Sequence, residues 1–123
     1  MKKSIVLLVF LVLLVSGAYA QTVLRDGIYM TQGSQDMYHI YNIPQYQGNI
    51  QLTAFAEGNF NNVMFHQAGY TVGRQLINVV FWISPYLSEF LPVGTQSIYI
   101  ITNSTTFVDG SGQTWTWRRV MPR

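Results

Sequence analysis

From Gly27 onward the chain is cut at short intervals by glycine, proline, asparagine, aspartate and serine, and between the cuts Tyr, Phe, Trp, Val, Ile and Thr predominate. β-branched and aromatic residues suit a pleated surface, and turn formers this closely spaced leave no room for a helix of ordinary length. The runs predict strands at Gly27 to Thr31, Met37 to Ile43, Asn49 to Glu57, Asn62 to Ala68, Gln75 to Ile83, Ser97 to Thr102, Thr105 to Val108 and Gln113 to Val120. Pro44 ends the second, because proline donates nothing to a ladder. Gly69 to Gly73 reads as a loop or bulged hairpin connection, and LINVVFWI, apolar almost throughout, reads as a central strand covered on both faces. Only residues 84–91 look helical, with Ser84 as cap, Pro85 in the first turn, and Leu87, Phe90 and Leu91 at helical spacing before Pro92.

Eight short strands with one short helix and no βαβ alternation predict an all-β fold, a small antiparallel barrel or sandwich. Lysine, the residue that most often guards open sheet edges, is confined to Lys2 and Lys3, so closure of the sheet is the economical solution. Pairing the first strand, GIYMT, with the last, QTWTWRRV, would achieve it.

The segment MKKSIVLLVFLVLLVSGAYA has a basic start, an apolar run and an A-Y-A ending, the pattern of a secretory signal peptide cleaved after Ala20. The expected organisation is a signal at residues 1–20 and one all-β domain over 21–123, secreted or periplasmic, with no membrane span after cleavage. The chain holds no cysteine, so neither a lipid anchor nor a disulfide framework is expected. Without Lys2 and Lys3, five arginines (Arg25, Arg74, Arg118, Arg119, Arg123) balance five carboxylates (Asp26, Asp36, Glu57, Glu89, Asp109). A nucleic-acid partner is not expected, because phosphate binding wants a basic stripe.

Catalytic signatures are sparse. Cysteine is absent, the serines lie in no G-x-S-x-G elbow, and His39 and His66 stand in no metal-binding spacing, although strands could bring them together with Asp36 or Glu57. Neither a metal nor a cofactor is expected, nor an enzyme. The turn Asp109-Gly110-Ser111-Gly112 lacks the further ligands of a calcium or phosphate loop and reads as a hairpin turn.

Trp115, Trp117 and Arg119 alternate on the last strand, so strict alternation puts all three on one face. As a core edge, the two indoles fill the barrel and Arg119 lies at the rim with its stem over Trp117. As a ligand platform, they stack a sugar or aromatic group. The core reading is the one we expect, and these three are the candidate partner- or ligand-binding residues. A binding module for a protein partner, as a monomer or small oligomer, accords with a tyrosine-rich surface (Tyr29, Tyr38, Tyr41, Tyr46, Tyr70, Tyr86, Tyr99). The alternatives are a structural subunit of an extracellular assembly and a binder of a small apolar ligand inside the barrel.

Overall fold

The computed structural model describes residues 22–122, and the expected signal peptide with its cleavage site lies outside them. Eight antiparallel strands close into a barrel in simple sequential order: β1 (Gly27–Thr31), β2 (Met37–Asn42), β3 (Asn49–Phe55), β4 (Val63–Val72), β5 (Gln75–Ile83), β6 (Gln96–Asn103), β7 (Thr106–Val108) and β8 (Thr114–Arg119). Closure is made by β1 on β8, with Tyr29 opposite Trp117 and Thr31 opposite Trp115. The result is a barrel and not a sandwich.

Alternation decides what fills it. Tyr29, Ile40, Leu52, Leu76, Tyr99, Ile101, Phe107 and Trp115 point inward and form one buried cluster, with Tyr38, Phe65 and Trp117 packed against it. Large side chains meeting in layers leave no room for a central channel. One end is plugged by the segment before β1. Leu24 joins the core cluster, the Arg25 amide donates to the Ser104 carbonyl at 2.7 Å, and the Tyr29 hydroxyl donates to the Arg25 carbonyl at 2.7 Å.

Three expectations are corrected. β4 does not stop at Ala68; it runs through Gly69 to Val72 and turns at Gly73 and Arg74. Gly69 belongs to the strand because a β-carbon there would stand 2.5 Å from Asn78 Oδ1, so the buried asparagine occupies the space a side chain would take. The helix over 84–91 shrinks to a single 3-10 turn, Pro85–Leu87, with no buried residue. Its proline signal is sound, but Phe90, one of its three apolar residues, is exposed, and packing supplies most of a short helix's stability. Finally, β5 is covered on one side only: Leu76, Asn78 and Val80 are buried, while Phe81 and Trp82 are exposed. A closed barrel turns one face of every strand outward, however apolar the strand.

The outer surface has its own small cluster, in which Ile28, Met37 and Phe55 are covered by Phe60 and Met121. The chain thus covers an apolar outer patch over β1 to β3 with its own loop and tail. Over β4 to β6 it does not.

Candidate functional site

Of the three sequence candidates, Trp115 and Trp117 do face inward. Trp115 is 4% exposed and lies on Tyr38 with ring centroids 4.2 Å apart. Its indole N–H donates to the Asp109 carboxylate at 2.9 Å. Trp117 is half-buried toward the plugged end, where its N–H donates to the Asp26 carbonyl at 3.0 Å. Arg119 leaves that face. The β1–β8 register slips between Ile28 and Tyr29, so Arg119 pairs with Ile28 and Arg118 is the extra residue of a bulge. Arg119 therefore turns outward, its guanidinium 5.7 Å from the Phe60 ring, and the cation over Trp117 is Arg25 at 3.9 Å. The three do not form one platform.

The histidines do meet a common neighbour. Thr53 pairs with His39 on one side and His66 on the other, and its hydroxyl shares a hydrogen bond with His66 Nδ1 at 2.8 Å. Burial lowers the pKa of both rings, opposed at His39 by the charge of Asp26. His66 also stacks on Phe81 at 5.8 Å and leans on Trp82 at 5.4 Å. Among the described residues no three His, Asp or Glu side chains come together as a metal site. Asp36 is instead occupied with the Glu57 backbone N–H at 3.2 Å.

Two surfaces stand out from the rest. The first is the outer face of β4 to β6, strands that contain no Asp, Glu, Lys or Arg at any position. Register lines up Tyr70, Ile77 and Ile98 across the three strands, and likewise Val72, Gln75 and Ile100. Tyr70, Val72, Ile98, Ile100, Phe81 and Trp82 are all exposed. The last two stand together because a second bulge, opposite His66 and Gln67, interrupts the alternation of β5. From there the loop 84–95 carries Tyr86, Val93 and Phe90 outward, Phe90 with 81% of its surface free. The Tyr86 hydroxyl donates to Asn62 at 3.3 Å and ties the loop to the β3–β4 connection. So many exposed large apolar side chains on strands without charge, beside a loop whose single charge is Glu89, are uncommon on a protein that stays alone in water.

The second surface is the unplugged mouth of the barrel. A cup of about 310 Å³ opens there between Tyr38, Phe65, Gln67, Ser97 and Tyr99, with Leu91 and the turn Asp109 to Ser111 at its rim. A polar chain crosses it: Tyr99 donates to Gln67 Oε1 at 3.2 Å, and Gln67 Nε2 donates to Ser97 Oγ at 3.2 Å. Burial pushes the Tyr38 hydroxyl far above the ordinary tyrosine range, helped by the neighbouring Tyr99 hydroxyl, so it stays protonated. Asp109 behaves oppositely. Partial burial raises its pKa, but hydrogen bonds from Trp115, Ser111 and Gln113 outweigh that and hold it below the ordinary value.

Neither surface could be read from the chain as a string, because each joins residues from distant strands. A usable signal existed for the first: the stretch from Val63 to Asn103 has charge only at Arg74 and Glu89. The expected tyrosine surface is also divided, since Tyr29 and Tyr99 are core and Tyr41, Tyr46, Tyr70 and Tyr86 are exposed. Compared with known protein families, with curated proteins and with solved structures, the chain matches none.

Proposed function

We propose that this protein is a non-catalytic binding module, exported from the cell, that docks a protein partner against the outer face of β4 to β6 and the adjoining loop 84–95. One observation carries the reading. Phe81, Trp82, Ile98 and Ile100 are exposed on strands without charge, and Tyr86 and Phe90 on the adjoining loop whose single charge is Glu89, although the same chain covers its other outer apolar patch with Phe60 and Met121. Aromatic anchors on a rigid scaffold are what protein interfaces use for most of their affinity. The partner's contact surface is apolar, with a recess for the projecting Phe90.

The rival readings have less support. A structural subunit of an extracellular assembly would draw on the near-zero charge balance and on open sheet edges, and a closed barrel has no open edges to offer. Among the described residues the barrel interior is packed with its own aromatic and aliphatic side chains, which speaks against an apolar ligand enclosed between the strands. Nor does the outer face suit a lipid-spanning barrel, whose apolar residues point outward all round; here β8 turns Thr114, Thr116 and Arg118 outward.

The test compares the parent protein with a Phe90→Ser, Trp82→Ser, Ile98→Ser triple variant as bait in the fluid that receives exported proteins. The three side chains are exposed, so the variant should melt within a few degrees of the parent. The reading expects one protein retained in stoichiometric amount by the parent and lost by the variant. Identical retention by both baits would overturn it, as would a parent that simply dimerises through this face.

A further inference from the structure

We infer that the barrel mouth is a separate site for a small organic cation of the alkylammonium class. The inference does not rest on partner docking at the outer face. Its basis is the chemistry of the cup wall.

Three aromatic rings form the wall. Tyr38 and Phe65 meet edge-on at 6.2 Å and 62°, and Tyr38 and Tyr99 are nearly parallel at 6.2 Å and 13°. All three line the cup, and aromatic rings attract cations that have shed part of their water through their quadrupoles. Among the described residues Asp109 is the only charged one lining the cup. Its carboxylate accepts hydrogen bonds from Trp115, from the Ser111 hydroxyl at 2.7 Å and from the Gln113 amide at 3.0 Å, all of them neutral donors. Those bonds fix it in position and leave its charge uncompensated. The cup is therefore apolar in its walls and negative at its rim.

The floor adds a neutral polar contact. Gln67 is 2% exposed, yet its amide is held by Tyr99 and Ser97 in the cup. The volume, about 310 Å³, falls at the small end of ligand pockets, which run from roughly 300 to 1,000 Å³. A bulky or anionic ligand is excluded by size and by Asp109. A compact cation is the class that suits a cup of this size and charge.

Choline and its uncharged isostere 3,3-dimethylbutan-1-ol have almost the same shape, so comparing them isolates the charge. Titration followed by amide chemical shifts should move the signals of residues 97–99 and 109–111 with choline, and choline should bind roughly tenfold more tightly than the isostere. Phe65→Leu, which shortens an aromatic wall and leaves the charge, should weaken choline binding several-fold while leaving the isostere unchanged. Asp109→Asn should do so as well. Because that variant also disturbs Trp115, the Phe65 change decides if Asp109→Asn fails to fold. Equal binding of choline and its isostere, or shifts scattered over the outer surface, would overturn the proposal, as would no shift at high millimolar choline.

Discussion

Trp115 and Asp109 are joined across the β7–β8 turn, the indole N–H donating to Asp109 Oδ2 at 2.9 Å while the ring lies flat against Tyr38. One residue thus couples the aromatic core to the rim of the barrel mouth. Trp115→Ala removes the ring from a buried site and should cost about 3 to 5 kcal/mol, a large share of the roughly 5 to 15 kcal/mol that holds a domain of this size. Trp115→Phe keeps the stack but loses the N–H, so its cost should be distinctly smaller. Urea unfolding of the two variants checks both statements. Equal, negligible losses would mean that the ring is not packed as described.

The pH dependence of stability follows from the groups whose pKa values move. His39 and His66 are held below their ordinary value of 6.5 in the folded state, so the unfolded chain takes up protons first. Stability should begin to fall as the pH drops through about 6.5 and level off below the folded-state values. Asp109 is held below 3.8, so its contribution is complete above that pH and is lost as the pH falls further toward its folded-state value. Melting temperature against pH should show two descending steps. His39→Gln with His66→Gln should abolish the upper step only.

Gly27 is fixed by its neighbours. Its φ is +144°, and a β-carbon would stand 2.3 Å from Trp117 Nε1 and 2.5 Å from the Arg119 carbonyl oxygen. Gly27→Ala must therefore displace the Trp117 indole from its bond to Asp26 and loosen the β1–β8 closure. A loss of about 1 to 3 kcal/mol is expected from backbone strain alone, with more from the displaced ring. Thermal melting would show it, and a melt like the parent's would mean that the indole lies elsewhere.

What the sequence made legible was whatever depends on alternation within one strand. The all-β class, the pairing of GIYMT with QTWTWRRV, and the inward Trp115 and Trp117 all follow from periodicity and turn chemistry. Arg119 was misread because a single extra residue, Arg118, breaks that periodicity, and a bulge depends on the partner strand as much as on its own residues. Gly69 misled for a similar reason: a glycine inside a strand looks like a turn until the Asn78 side chain that needs its space is seen. LINVVFWI shows that an apolar run does not by itself mean burial, since half of it faces outward. The cup, built from β2, β4, β6 and the β7–β8 turn, required the register of the whole barrel.

If the outer face bearing Trp82 docks the partner, it is bare in the free protein and covered in the complex. The chain has three tryptophans, so Trp115→Phe with Trp117→Phe leaves Trp82 as the single indole. Its emission should be red-shifted and readily quenched by acrylamide, as suits an exposed ring, and both properties should reverse when the partner retained by the parent protein is added. A blue-shifted, shielded Trp82 in the free protein would contradict the account, and so would a partner that binds while leaving Trp82 as quenchable as before.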